Sequence, residues 1–169
     1  MLRASKWIAT FAVFMVVSVG VVRFLDLRGT RAPVVSLPVM ATVRIPGSAY
    51  DAHVEVARTP GERLRGLSGR PRLGDRQGML FVFDGPDRHG IWMRDMRFSI
   101  DLIWVSGGVV VDTTERLPVP HRWSRRALPV FRPSVPALLV LEVPAGTVDR
   151  YRLNVGERVE VLFDEGVGQ

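Results

Sequence analysis

No cysteine occurs among the 169 residues, which excludes disulfides, thiolate metal sites, a cysteine nucleophile and a lipid-modified cysteine anchor. Lysine occurs once, at Lys6, and no phosphate loop of the G-x-x-x-x-G-K-[ST] type is present. Histidine is scarce as well. His53, His89 and His121 stand apart, with no paired spacing on one helix, so the sequence predicts no metal centre. A glycine-rich dinucleotide fingerprint is missing, and no cofactor is implied. The serine elbow G-x-S-x-G is not met either, because Gly66-Leu67-Ser68 runs directly into Gly69.

What is present is apolar residues and arginine. A hydrophobic share of 47% with 24% charged residues fits one folded domain. Residues 1–31 hold five basic side chains (Arg3, Lys6, Arg23, Arg28, Arg31) and one acidic (Asp26), so the rest of the chain carries only +2 of the total +6. Nucleic-acid binding needs a basic patch and not a basic total, and the excess of Arg over Lys reads as coding bias. No nucleic-acid partner is expected.

From Trp7 to Val22 sixteen residues run without a charge, preceded by Arg3 and Lys6 and closed by Arg23. This predicts a signal peptide or membrane anchor over residues 1–27, a hydrophobic helix with small residues at Ser18-Val19-Gly20 for a possible cleavage. The favoured orientation leaves the amino terminus in the cytoplasm and exports the remainder. The expected location is a bacterial inner membrane with the domain facing the periplasm or outside, or a secreted domain if the leader is cleaved. Residues 28–38, with Pro33 and Pro38, read as an extended linker. A single β-rich domain is expected over 39–169.

Within that domain the signals have period two. Tyr50, Ala52, Val54 and Val56 alternate with Asp51, His53 and Glu55, as in a strand with one wet face. Thr59-Pro60-Gly61-Glu62 predicts a capped helix start, and Gly66, Gly69 and Pro71 keep that helix short. Further strands are expected at Met79–Phe83, Ile91–Met93, Leu102–Val105, Leu138–Leu141 and Arg158–Phe163, with a Gly107-Gly108 hairpin leading into Val109–Val111. The five prolines between residues 116 and 136 predict a long surface excursion. The expected fold is mainly β: a compact sandwich or barrel-like sheet with one short helix, preceded by the N-terminal hydrophobic helix.

Two carboxylates stand among apolar neighbours. Asp101 precedes Leu102–Val105, and Glu142 lies between Leu141 and Val143. A buried carboxylate is hydrogen-bonded, paired with a cation or protonated, and Arg63, Arg65, Arg70 and Arg94 are the candidate partners. Among the tryptophans, the neighbours of Trp92 and Trp104 predict core positions. Trp123, inside the basic run His121-Arg122-Trp123-Ser124-Arg125-Arg126, is the exposed candidate.

Taken in order, Val54–Thr59, Glu62-Arg63 to Arg65-Gly66-Leu67 with Arg70, Gly78–Phe83, Ile91–Asp101, Val140–Gly146 and Val155–Val159 resemble the domain of unknown function 192 family, also called uncharacterised protein family 0127, over roughly residues 50–163. The resemblance implies a small β-dominated domain, often behind a signal or membrane anchor, with no activity attached. The family's marked residues fall on Arg63, Gly66, Leu67, Arg70, Gly78, Met79, Phe81, Trp92, Met93, Asp101, Glu142 and Gly146.

The functional expectation is an uncharacterised exported, membrane-tethered β domain. It binds a small polar ligand or a cell-envelope partner through Arg63, Arg65, Arg70, Trp92, Asp101 and Glu142. The alternative is a hydrolase using Asp101 or Glu142 as general acid or base; the missing catalytic templates lean against an enzyme.

Overall fold

The structure is a computed structural model that describes residues 38–120 and 128–164. The chain divides into two units, Met1–Leu37 and Pro38–Gln169. The segment expected to form a leader helix and the basic run around Trp123 lie outside the described residues. Among the described residues no helix is long and apolar enough to cross a membrane.

The described residues are mainly β, with nine strands and two short helices. They are β1 (Met40–Ile45), β2 (Tyr50–Ala57), α1 (Pro60–Arg65), β3 (Gln77–Asp87), β4 (Ile91–Trp92), β5 (Ile100–Ser106), β6 (Val109–Leu117), β7 (Val130–Phe131), β8 (Ala137–Pro144), α2 (Thr147–Tyr151) and β9 (Glu160–Phe163). Seven strands form one sheet in the order β6-β5-β8-β3-β2-β1-β9, while β4 and β7 pair separately. Every pairing is antiparallel except β2 with β3. That parallel pair needs a crossover connection, and α1 lies within it.

The described residues are mainly β, as expected, but the seven-stranded mixed sheet, with the β4–β7 pair separate from it, does not form a closed barrel. Its two ends approach nevertheless. Val109 bridges Arg158, and the amide of Val159 donates to the carbonyl of Gly108 at 2.8 Å. Apolar residues are therefore buried on both faces of the sheet. One cluster holds Val43, Val54, Leu80, Ile103 and Leu141; the other holds Met79, Phe81, Leu102, Trp104 and Val140. This explains why Leu102–Val105 reads as an unbroken apolar run, since a strand covered on both sides has no wet positions.

The local expectations at α1 and the hairpin hold. Thr59 and Glu62 form a reciprocal capping box with Pro60 in the first turn, and Gly107 and Gly108 have φ of 59° and 76° in the two-residue turn between β5 and β6. The second helix, α2, was not expected. Its N-terminal amide at Val148 donates to Asp101, 47 residues away, so its cap is a tertiary contact that local sequence does not announce.

Candidate functional site

The register of the strands arranges the site. Glu55 pairs with Met79, Met79 with Glu142 and Glu142 with Leu102, so these four side chains form a row across one face of the sheet. Directly opposed residues share a face, and successive residues alternate. Asp101, one residue before Leu102, therefore projects from the opposite face, beside Val143. The two carboxylates that look alike in sequence are separated by the sheet itself.

Asp101 is fully buried, and both of its oxygens are engaged. It accepts from the backbone amides of Arg116 at 2.8 Å and Val148 at 3.0 Å. Those bonds fix the end of β6 and the start of α2, so Asp101 serves the scaffold and is not brought to the other candidate site residues.

Glu142 is different. It is 4% exposed, and among the described residues its carboxyl makes no hydrogen bond or ion pair. Burial pushes its pKa up to about 8, against a smaller downward pull from the charge of Arg70. The group is thus mostly protonated at neutral pH and presents an O–H donor.

Over Glu142 lies a cavity of about 270 Å³. The α1 segment supplies Arg63, Leu64 and Arg65 with Leu67 and Ser68 behind it, β3 supplies Phe81 and Phe83, and the strip after Gly90 supplies Ile91, Trp92 and Met96. Phe81, Leu67, Ile91 and Met96 are buried, whereas Leu64 and Trp92 are about half exposed. The walls are apolar and aromatic, with a few polar groups, which is the usual make-up of a small-molecule site.

The arginines have distinct roles. Arg63 donates to the carbonyls of Arg58 and Val82, the latter at 2.7 Å, sits over the Phe83 ring at 5.2 Å and approaches Asp84 at 3.7 Å. Its guanidinium is spent on joining α1 to β3. Arg70 grips Glu55 through two bonds of 2.5 Å, which hold the Glu55 carboxyl below its ordinary range. Arg70 does not line the cavity, but its charge reaches Glu142. Arg65 lines the cavity, and its guanidinium makes no hydrogen bond or ion pair with another described residue; its charge is felt by Glu55 and Glu62.

Trp92 corrects the expected core position. It is 43% exposed, because the side chains alternate along β4 and the residue after it: Ile91 and Met93 are buried and Trp92 points outward. Arg94 lies over its ring at 5.2 Å and donates to the Leu64 carbonyl at 3.3 Å. Trp104 is buried as expected, its Nε1–H bonded to the Thr114 hydroxyl at 3.0 Å. Of the six candidates, then, Arg63, Arg65, Trp92 and Glu142 converge on the cavity, Arg70 stands beside it and Asp101 lies across the sheet. The sequence does not single out Glu55, for which its polar position in the β2 alternation is the available signal, or Phe83, which closes the apolar run Met79–Phe83.

The profile of DUF192, Uncharacterized ACR, matches residues 41–161. The chain belongs to the DUF192 family. That span begins in β1, earlier than the expected residue 50. Among solved structures, this DUF192 chain is similar to a protein of unknown function from Novosphingobium aromaticivorans DSM 12444, with 30% identity over 76% of this chain and 89% of the other and a TM-score of 0.64. It is also similar to a protein from Sinorhizobium meliloti 1021 described as "a putative transcription regulator", with 26% identity over 77% of this chain and 98% of the other, again at a TM-score of 0.64. No curated protein matches the chain.

Proposed function

We propose that this DUF192 chain is an exported, membrane-tethered β module that binds a small polar ligand in the cavity beneath α1. The observation that carries the reading is Glu142, a carboxyl buried at the cavity with no hydrogen-bond or ion-pair partner among the described residues. A polar group in such a place costs free energy unless something bonds to it, and an apolar cavity with exposed Trp92 at its edge provides room for that something. The uncharged stretch Trp7–Val22 supports export and tethering.

The test is calorimetric titration of the full chain in detergent with envelope sugars, peptides and small acids, repeated on Glu142→Leu. A saturable isotherm that disappears in the variant is the expected result. Absence of saturation by every probe, together with no capture of a partner from membranes, rejects the reading.

A hydrolase is the second reading, favoured by one observation: a carboxyl held at about 8 is suited to give and take a proton near neutral pH. Only Glu142 fits that role, since Asp101 is committed to two backbone amides. Turnover of an ester or glycoside that is abolished in Glu142→Gln while the fold is retained would decide for it.

A further inference from the structure

We infer that the ligand of this cavity is a small carboxylate with an apolar or aromatic body, its charge met by Arg65 and its second oxygen accepting from Glu142. This deepens the binding reading and rests on it.

Arg63 and Arg65 of α1 line the cavity together with Glu142, and the charge of Arg70, in the loop after α1, reaches Glu142; Glu55 of β2, Met79 of β3 and Leu102 of β5 share the Glu142 row, and Arg94 stands over Trp92 at the cavity edge. Three of the four guanidinium groups are already committed. Arg63 bonds two carbonyls, Arg70 forms a bidentate pair with Glu55, and Arg94 covers Trp92. Arg65 is left as the cavity cation with no bonded partner among the described residues.

A cationic ligand would meet that row of arginines and gain little from Glu142, whose ordinary charge is suppressed by burial. A neutral sugar would leave the Arg65 charge unused. A carboxylate satisfies both groups: the guanidinium fork matches its geometry, and a protonated carboxyl donates to its other oxygen. Phe81, Phe83, Ile91, Trp92 and Met96 then hold the apolar body.

The reading carries a pH signature. Binding needs the proton on Glu142, so affinity falls as pH rises through the pKa near 8. For that one group the loss is about tenfold between pH 6 and pH 9. An ammonium ligand would show the opposite trend.

The experiment titrates the full chain in detergent with phenylacetate, phenethylamine and glucose at pH 6 and pH 9, by calorimetry, on the parent, Arg65→Gln and Glu142→Gln. Expected are saturable binding of phenylacetate at pH 6, about tenfold weaker binding at pH 9, and a further loss of about tenfold or more in Arg65→Gln. In Glu142→Gln, which keeps a donor but cannot titrate, the pH dependence vanishes while binding remains. The tripeptide Gly-Gly-Phe, with its free carboxylate, then tells a free acid from the C-terminal residue of a peptide as the source. Phenylacetate binding indifferent both to Arg65→Gln and to pH overturns the inference. Saturation by phenethylamine or glucose in place of the acid overturns it too, yet leaves the cavity a binding site. Failure of every probe removes the binding reading as well.

Discussion

Glu142 and Asp101 show how little residue type says about role. Both are acidic, both are nearly inaccessible and they sit on adjacent strands, yet among the described residues Asp101 has two amide donors and Glu142 has none. The difference appears in stability. The unfolded chain loses the Glu142 proton near the ordinary 4.5, whereas the folded chain keeps it to about 8. Between those values the folded state binds more protons, so stability falls as pH rises across that window and levels off above it. Glu142→Gln removes this penalty: urea unfolding should show near-equal stability at pH 4 and a gain of about 3–5 kcal/mol over the parent at pH 9. An equal gain at both pH values would mean that packing and not ionisation is responsible. Arg70 is coupled to the same row. Its bonds lower Glu55 and its charge lowers Glu142, so Arg70→Gln is expected to raise both pKa values in a carboxyl NMR titration. Movement of Glu55 alone would show that the guanidinium charge does not reach the cavity.

At the scale of elements, two features fix the platform under the cavity. The first is the contact of β3 with β8 at Gly78, where an added Cβ would lie 2.4 Å from the Glu142 carbonyl oxygen and 3.3 Å from Val54. Backbone cannot yield as a flexible side chain does, so Gly78→Ala forces the strands apart. A loss of about 3 kcal/mol or more in thermal or urea unfolding is expected; a loss below about 1 kcal/mol would mean that the strands tolerate separation. The second is the tie from β5 to α2. Asp101→Asn places an amide NH₂ where one of two backbone donors needs an acceptor, and it should cost about 2–3 kcal/mol. Phenylacetate affinity measured on the folded variant should stay within about twofold of the parent, because the substitution acts on the far side of the sheet. A larger affinity change would show that the two faces communicate.

For the whole molecule, the proposed export and tethering lead to a test in cells. The full chain should fractionate with membranes, resist alkaline extraction, and have a domain open to protease added to spheroplasts. A chain recovered in the cytosol with its leader intact would reject that placement and the envelope ligands with it. Much of the architecture was legible. Period-two alternation marked β2, paired glycines marked the β5–β6 hairpin, and Thr59-Pro60-Gly61-Glu62 marked α1, since each depends on residues within a few positions of one another. The open curl of the sheet, the strand order and the small helix α2 were not, because each is decided by groups far apart in the chain, such as Asp101 and Val148.

The sequence by itself determined the family, the β character, the lack of any thiolate chemistry, and the identity of two carboxylates set among apolar neighbours. Tertiary structure alone decided which of them lacks a hydrogen-bond partner among the described residues. One residue of register along a strand moves a side chain to the opposite face of the sheet, and β5 pairing with β8 places Leu102, not Asp101, beside Glu142. That placement leaves Asp101 bonded to backbone and Glu142 without a hydrogen-bond partner among the described residues, at the cavity that Arg65 also lines, a distinction that composition and spacing do not contain.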